Sequence, residues 1–558
     1  MRSDSAKSVF PVLIPPAVEE QIARGISVKD IIKLLHGPSG KPKKKSSIKR
    51  TYDSQAFVNL LISNAQRWPH GTLPDEDANT SQILELIEPY VVAEPAEGLA
   101  IEQNPDEIPL ECQNDRYKLA LSGERRASPA FIVDFVLVGY NLDLLEIRML
   151  ETYEYVDVFV VYEGAMTQKG TRKPFYLRDS IATNPERWAR FADKMLYVFG
   201  SEADLAGSQV ADWDFERAPR HLSVAKLKVS GHPLAQKVKA VAADQAHMAF
   251  AIQNDEDEIA LAHTLKHLKF CTLKPNLHSQ RQATVALMPV LFKLNFEWHE
   301  RSRLQEPKDL VFQHVLREWT EAGVVPSKAF ALEYLDVAWD VGPLVEPLHD
   351  VLHSWNGLIR THQAHIMHHF MGPGCGVHIS SVNEPVFQLL KTLSVIEANA
   401  INSMYPWIFE MARKGMLTPN HLIWSSDPWQ SFRGGKHTSL VEKSVRKLIA
   451  NSIPWAVRYN PNRFPFLLPH AVQGVQSARC ILSRGSPVQT AHGFLWHSGG
   501  PVNQSTFPKE IWKGSSIEEA LERPSALRLE HGASAVEKYL AERLQRAPVQ
   551  CPDGLSVW

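Results

Sequence analysis

An almost uninterrupted apolar run, Phe131 to Val138, constrains the fold of this chain more than any other segment. Its β-branched residues and its length are typical of a parallel strand that is buried on both faces of a sheet. The residues that follow, 141–153, place apolar side chains on one face at helical spacing, and Asn141 is suited to cap that helix. The apolar run Val156 to Tyr162 then predicts a second strand. A strand, a helix and a strand in this order predict a right-handed unit with two parallel strands.

A short apolar run that begins at Phe250 stops at four consecutive carboxylates, residues 255–258. Adjacent carboxylates repel one another, and a nearby cation restores their ionised forms. Oxygen ligands suit Mg²⁺ or Mn²⁺, which commonly keep positions open for substrate phosphates. Glu163 comes just after the predicted second strand, and ligands of open parallel sheets bind at the carboxyl ends of strands. We therefore expect Glu163 and residues 255–258 to face one crevice; the common alternative for such a run is a solvated acidic loop.

The composition is that of a globular protein, with 558 residues of which 44% are hydrophobic and 22% charged. A net charge of -2 provides no overall attraction to polyanions, so we expect no nucleic-acid partner. No stretch reaches the roughly 18 apolar residues that a membrane span requires. The cysteines lie far apart without a Cys-x-x-Cys pair, which indicates neither a zinc ribbon nor a disulfide scaffold. They are Cys112, Cys271, Cys375, Cys480 and Cys551.

Changes in composition along the chain predict three parts. Residues 1–125 are predicted to be a partly helical N-terminal extension, with the basic run 41–50 as a solvated linker. Residues 126–475 contain the two strands, the helix and the acidic run, and are predicted to form the main domain. Residues 476–558 form a C-terminal tail for which the sequence indicates no role.

Four blocks of the main domain carry a resemblance to a known family. The first is Leu142–Arg148 followed by Val156–Glu163 and by Gly170, Lys173 and Pro174, the second is Asp255–Ile259, the third is Gly376–Ser380 with Lys391 and Glu397, and the fourth, fainter one is Asp427–Gly434. In their order and spacing they resemble glycosyltransferase family 17. The chain departs from the family's pattern at Tyr140 and Asn141, at Ala260 and at Val377, where the family has Asn-Glu, Pro and Trp.

The resemblance implies a GT-A-like α/β fold, with a Rossmann-type, mostly parallel sheet and flanking helices. It implies an inverting transfer of N-acetylglucosamine from UDP-N-acetylglucosamine to a mannose-containing, N-glycan-like acceptor, with Mn²⁺ or Mg²⁺ as cofactor. Glu258 and Glu163 are, by position alone, the candidates for the catalytic base. The implied metal ligands are Asp255, Asp257 and His378, and the implied donor-binding residues are Asp143, Glu146, Arg148, Lys173, Asp255 and His378.

Other functions are compatible with the same residues. A catalytically degenerate nucleotide-sugar or glycan-binding protein would explain the departures from the family's pattern, and a metal-dependent phosphohydrolase could use the same acidic run. His362, His365 and His369 have the helical spacing of zinc ligands, although such a pattern is more often a polar helix face. The family implies the Golgi or another part of the secretory pathway. We expect membrane association only if an anchor is missing from this sequence, and a cytoplasmic protein is the alternative.

Overall fold

The computed structural model describes residues 26–27, 30, 59, 61–63, 76–95, 101–104, 107–205, 213–244, 248–274, 285–293, 295–299, 343–353, 369–380, 385–394, 447–468, 549–550 and 556–557. They form an α/β structure in which helices flank a mixed, largely parallel sheet, and this confirms the predicted fold class.

The described strands are β1 (Ile26–Ser27), β2 (Leu121–Arg125), β3 (Phe131–Val138), β4 (Val158–Gly164), β5 (Met195–Gly200), β6 (Ala249–Asp255), β7 (Glu258–Ala260), β8 (Cys271–Leu273), β9 (Val285–Lys293), β10 (Asn295–His299), β11 (Leu344–Pro347), β12 (His369–Ser380), β13 (Val549–Gln550) and β14 (Ser556–Val557). The described helices are α1 (Glu76–Val92), α2 (Leu142–Thr152), α3 (Tyr176–Thr183), α4 (Pro185–Ala189), α5 (Glu202–Leu205), α6 (Trp213–Val229), α7 (Pro233–Ala243), α8 (Ala262–Phe270), α9 (Leu348–His353), α10 (Pro385–Ser394) and α11 (Trp455–Tyr459).

Within the described residues, ten strands form one sheet in the order β1-β5-β4-β3-β6-β11-β9-β12-β7, with β10 beside β9. Strands β5, β4, β3 and β6 run parallel to one another, whereas β11 is antiparallel to both β6 and β9. The chain passes from β3 to β4 on one side and later enters β6 on the other side of β3. This reversal of strand order opens a crevice at the carboxyl ends of β3 and β6, which is where open sheets bind ligands.

Helices cover both faces of the sheet. Helices α2, α3, α4, α8 and α10 share one apolar layer with Ile132 and Val136 of β3. Helices α6, α7 and α9 share the other layer with Val133 and Phe135 of the same strand. Because side chains alternate along a strand, these two sets of residues mark the two faces of the sheet.

The predicted strand–helix–strand unit is confirmed, with one shift in its second strand. Strand β3 has the predicted bounds, but β4 begins at Val158 because the Val156 amide still donates to the Thr152 carbonyl at the end of α2, at 3.0 Å. Strand β4 continues to Gly164, so Glu163 lies inside the strand and not just past its end.

Helix α2 is buried on all sides, whereas the sequence predicts a helix with one apolar face. Its cap is as predicted, because Oδ1 of Asn141 accepts a hydrogen bond from the Leu144 amide at 3.2 Å. All eleven of its residues are buried, among them four ionisable ones, Asp143, Glu146, Arg148 and Glu151. Buried charges are tolerated where they are paired, so the partners of these four residues are central to the structure.

A disulfide joins Cys112 to Cys271, a pairing that the sequence did not indicate. The two residues are 159 positions apart, and the antiparallel pairing of β2 with β8 brings their segments together. Cys375 is buried with a free thiol, and burial raises its pKa to about 12.

The described part of the N-terminal extension contains α1, which packs against α3 and α10. Among the helices that the structure describes, none is long and apolar enough to cross a membrane. The division of the chain at residues 125 and 475 stays a prediction.

Candidate active site

The loop after β3 and the acidic run after β6 meet at the crevice, but the four carboxylates point to different partners. Glu256 turns inward and is 7% exposed. Its carboxylate accepts hydrogen bonds from the amides of Gly139, Tyr140 (3.1 Å) and Asn141 (3.0 Å), at the N-terminus of α2. Burial raises the pKa of Glu256 to about 7, against the opposing effect of these amides. Glu256 therefore ties the two loops together.

Gly139 is the residue that permits this close approach. A side chain at this position would place its Cβ 3.1 Å from Oε1 of Glu256, closer than an ordinary van der Waals contact. The glycine that ends the first predicted strand thus has a steric role in the crevice.

Asp255, the last residue of β6, forms an ion pair with Arg220 of α6. Nη2 of Arg220 donates to Oδ1 of Asp255 at 2.7 Å, and the two side chains are 4% and 25% exposed. Arg220 lies 35 positions before Asp255, and no motif in the sequence pointed to it.

Asp257 faces a pocket on the α2 side of the sheet. The pocket measures about 240 Å³ including space that is open to solvent, and it is lined by Tyr140, Asn141, Leu144, Glu256, Asp257, Ile379 and Phe387. Nε2 of His378 lies 3.8 Å from Oδ2 of Asp257, and both side chains are partly exposed. The structure therefore brings together two of the predicted metal ligands, Asp257 and His378.

Arg148 connects β3 to the acidic turn through hydrogen bonds. Its Nε and Nη2 donate to the carboxylate of Asp134 in β3, at 2.8 and 2.5 Å. Its Nη1 donates to the carbonyls of Asp255 (2.8 Å) and Glu258 (2.7 Å), the first and last residues of the acidic run. Arg148 is 1% exposed, so its described contacts lie within the protein, where it fixes the shape of the turn.

Asp143 and Glu146, two further predicted donor-binding residues, contact arginines in the interior. Arg187 donates to Asp143 at 2.8 Å and to Glu146 at 2.9 Å. Arg463, from the segment 447–468, donates to the other oxygen of Glu146 at 2.7 Å. These contacts anchor α2, whose first turn lines the pocket.

Glu163 and Lys173 lie one strand away from the pocket. The carboxylate of Glu163 accepts from the Leu177 amide at 2.9 Å and from the Tyr197 hydroxyl at 2.8 Å, and Glu163 is 0% exposed. Nζ of Lys173 lies 3.6 Å from Glu163, and burial lowers its pKa. Glu163 therefore holds the N-terminus of α3.

Glu258, the other candidate for the base, lies on β7 opposite His378 of β12 and is 1% exposed. Neither Glu258 nor Glu163 is among the described residues that line the pocket.

Asp257 and His378 are the two predicted metal ligands that lie close together. Among the residues that the structure describes, no group of three or more His, Cys, Asp or Glu side chains could hold a metal ion. Asp257 and His378 offer one oxygen and one nitrogen ligand, which suits Mn²⁺, and diphosphate oxygens would complete such a shell.

The residues at which the chain departs from the family's pattern lie in different parts of the structure. Tyr140 and Asn141 line the pocket, whereas Val377 is 0% exposed and belongs to the core. His369 begins β12 rather than sitting on a helix. His362, His365, Glu397 and the block 427–434 lie outside the described residues.

Comparison with known proteins agrees with this geometry. Residues 113–302 match the family model for glycosyltransferase family 17, and this range contains β2 to β10 and the whole acidic run. A comparison with curated proteins found no match. The family consists of hexosyltransferases that use UDP-N-acetylglucosamine. Residues 113–302, about a third of the chain, are therefore similar to glycosyltransferase family 17.

Proposed function

We propose that this chain transfers N-acetylglucosamine from UDP-N-acetylglucosamine, with inversion, to a mannose-containing, N-glycan-like acceptor, and that it does so on a GT-A-like fold. The observation that carries the proposal is the acidic turn at the point where the strand order reverses, within the segment that matches the family. Substrates of such sheets bind at that point, beyond the carboxyl ends of the strands.

Asp257 and His378 are the proposed ligands of Mn²⁺ or Mg²⁺. They lie 3.8 Å apart and are partly exposed at the crevice. When bound, the metal would neutralise the negative charge that develops on the UDP leaving group. Arg148 and Glu256 keep the acidic turn in place. Arg148 donates to the carbonyls of the first and last residues of the turn. Glu256 accepts from the loop after β3.

Donor hydrolysis in the presence of Mn²⁺ tests this proposal without knowledge of the acceptor. We expect Asp257→Asn to lower the hydrolysis rate of UDP-N-acetylglucosamine on the order of a hundredfold, because a metal supplies several kcal/mol to such a reaction. Asp115→Asn is a matched control, since Asp115 is exposed and pairs with Lys118 away from the crevice. Equal rates for the chain and for Asp257→Asn would contradict the metal role of Asp257.

A nucleotide-sugar-binding protein without activity is the second candidate. The burial of both predicted bases, Glu163 and Glu258, favours it, because an inverting transfer requires a base beside the acceptor hydroxyl. Calorimetry with UDP and Mn²⁺, run beside the hydrolysis assay, separates the two functions. Tight metal-dependent binding without hydrolysis or transfer would identify a binding protein.

A location in the secretory pathway, with the Golgi as the expected compartment, goes with the proposed acceptor. The disulfide between Cys112 and Cys271 supports it, because disulfides persist in oxidising compartments. Fractionation of native cells combined with thiol alkylation before and after reduction tests this location. A cytosolic protein with reduced Cys112 and Cys271 would overturn it.

A further inference from the structure

We propose that α1 is a pH-sensitive cover: a proton shared by Glu88 of α1 and Asp179 of α3 keeps the helix docked, and the docked helix keeps α10 in place beside the pocket. This inference rests on the proposed function, because it treats the pocket as the substrate site. It concerns a helix that lies outside the segment that matches the family.

Two acidic side chains meet where α1 packs against α3. Glu88 is half-buried, Asp179 is 4% exposed, and a side-chain hydrogen bond joins them. An ionised carboxylate only accepts hydrogen bonds, so a bond between two carboxyl groups requires a proton on one of them. Without that proton, two negative charges would face each other away from water. The contact between the two helices therefore depends on one proton.

Neutral hydrogen bonds hold α1 on either side of this acidic pair. The hydroxyl of Tyr176 donates to the Leu84 carbonyl at 3.3 Å. The hydroxyl of Ser180 and the side-chain amide of Asn184 both donate to the Val92 carbonyl, at 2.9 and 2.7 Å. Glu88 lies between these two carbonyls along α1, so repulsion at Glu88 acts on the middle of the interface.

The charged groups around Glu88 leave the proton on this residue. Burial, and next the Asp179 carboxylate, raises the pKa of Glu88 from 4.5 to about 8, and Arg178 opposes the rise. Arg178 donates to both oxygens of Asp179, at 2.8 and 3.2 Å, which places the negative charge of the pair on Asp179. Other ionisable side chains on the elements around this site include Glu85 of α1, Tyr176 of α3, Lys173 of the loop before α3 and Lys391 of α10.

Helix α1 reaches the pocket through α10. The two helices pack against each other, and Ile83 and Ile87 of α1 share one apolar layer with Phe387 of α10. Phe387 lines the pocket together with Asp257. A departure of α1 uncovers one side of α10 and thereby loosens the wall of the pocket that Phe387 forms.

The direction of the pH effect follows from the two states of Glu88. With α1 undocked, Glu88 has its ordinary pKa of 4.5, whereas in the docked state burial and Asp179 raise the pKa to about 8. Between these values the docked form binds a proton that the undocked form has lost. Docking is therefore strongest below pH 4.5 and weakens by up to about tenfold per pH unit as the pH rises to 8.

Hydrogen exchange of the full chain, followed by mass spectrometry between pH 6 and pH 8, tests the docking. We expect the protection factor of residues 83–92, corrected for the intrinsic exchange rate at each pH, to fall by about tenfold or more. The protection of β3 is the internal reference, because a global loss of stability would lower both. In Glu88→Gln the fall should be less than about threefold, since a glutamine amide donates to Asp179 at every pH.

Glu85→Gln is the matched control for this measurement. It removes the same charge from the same helix, but Glu85 is exposed and makes the smaller contribution to the pKa of Glu88. The fall in protection between pH 6 and pH 8 should stay close to that of the unchanged chain. If Glu88→Gln does not fold, Asp179→Asn takes its place, because an asparagine amide can donate to Glu88.

Hydrolysis of UDP-N-acetylglucosamine at pH 6 and pH 8 tests the link to the pocket. We expect the ratio of KM at pH 8 to KM at pH 6 to be about threefold or more larger in the unchanged chain than in Glu88→Gln, because α10 is held in the variant at both pH values. A helix that only stabilises the fold would not change this ratio.

A protection factor of α1 that is constant between pH 6 and pH 8 overturns the inference, and so does an equal fall in Glu88→Gln. Equal KM ratios in the two chains overturn the link to the pocket. A chain that hydrolyses no UDP-N-acetylglucosamine at either pH contradicts the proposed function instead, and the exchange measurement then decides the docking by itself.

Discussion

At the scale of single residues, adjacent carboxylates have very different surroundings. Glu256 and Glu258 are buried, Asp255 is paired with Arg220, and Asp257 lines the pocket. Four adjacent carboxylates that look equivalent in the sequence therefore have different structural roles.

If Glu258 is the base, Glu258→Gln lowers kcat by about a hundredfold or more, because a general base contributes on this scale. Glu163→Gln should instead lower stability, because the Glu163 carboxylate accepts from Leu177 and Tyr197. Donor and acceptor kinetics together with urea unfolding of both variants distinguish these effects. Normal kcat in Glu258→Gln would exclude it as the base.

At the scale of elements, α2 contacts the sheet and several other segments through its buried ionisable side chains. It binds the sheet through Arg148, the segment 447–468 through Glu146, and both α8 and α11 through Glu151. Each link is a buried ionisable side chain with hydrogen-bonded partners, which are charged for Arg148 and Glu146 and backbone amides for Glu151. Loss of one partner leaves the other charge buried and unpaired, which is more costly than loss of both.

Arg463→Met is predicted to lower the free energy of unfolding by about 1.5–3 kcal/mol, because it removes charge-assisted hydrogen bonds to the buried Glu146, which keeps its pair with Arg187. Lys118→Met, which removes an exposed pair with Asp115, should cost no more than about 1 kcal/mol. Urea unfolding monitored by circular dichroism measures both values. Equal, small effects of the two substitutions would contradict the anchoring role of Arg463.

Glu151 predicts a pH dependence of stability. Burial raises its pKa from 4.5 to about 7, so between these values the folded state binds a proton that the unfolded state has lost. Its contribution to stability is therefore fully present below pH 4.5 and is lost as the pH rises towards 7, by up to about 1.4 kcal/mol per pH unit. We expect Glu151→Gln to flatten the pH profile of unfolding in this window, and an unchanged profile would be evidence against the shift.

At the scale of the whole molecule, the site extends beyond the segment that matches the family. Residues 113–302 contain the acidic run, but β12 and α10 supply His378, Ile379 and Phe387 to the pocket. Helix α1 also lies outside the matched segment, and it packs against α3 and α10. The disulfide between Cys112 and Cys271 joins the beginning of the matched segment to β8.

Replacement of both disulfide cysteines, Cys112→Ser with Cys271→Ser, should lower stability by about 2–5 kcal/mol, because the bond closes a long loop in the unfolded chain. Thermal unfolding with and without reductant measures the effect in the unchanged protein. Cys375→Ala is the control, since Cys375 has a free thiol and its replacement should leave the response to reductant intact. An unfolding temperature that does not respond to reductant would argue against a stabilising disulfide.

Local pattern determined the elements at the centre of the fold. The apolar run of β3, the Asn141 cap and the strand that ends at Asp255 are all predictable, because strand burial, capping and strand ends depend on neighbouring residues. The position of the crevice followed from the order of strands and helices. Family resemblance added the expected chemistry, and the comparison supports the resemblance over residues 113–302, which excludes the blocks at 376–397 and 427–434.

Only the tertiary structure decided what the ionisable side chains contact. Arg220 and Arg463 come from elements distant in sequence, and the disulfide spans 159 positions, so no local spacing marks any of these pairs. The inward turn of Glu256 likewise depends on the close approach of Gly139. Periodicity and capping describe one element at a time, whereas these contacts depend on which elements pack together and at what register.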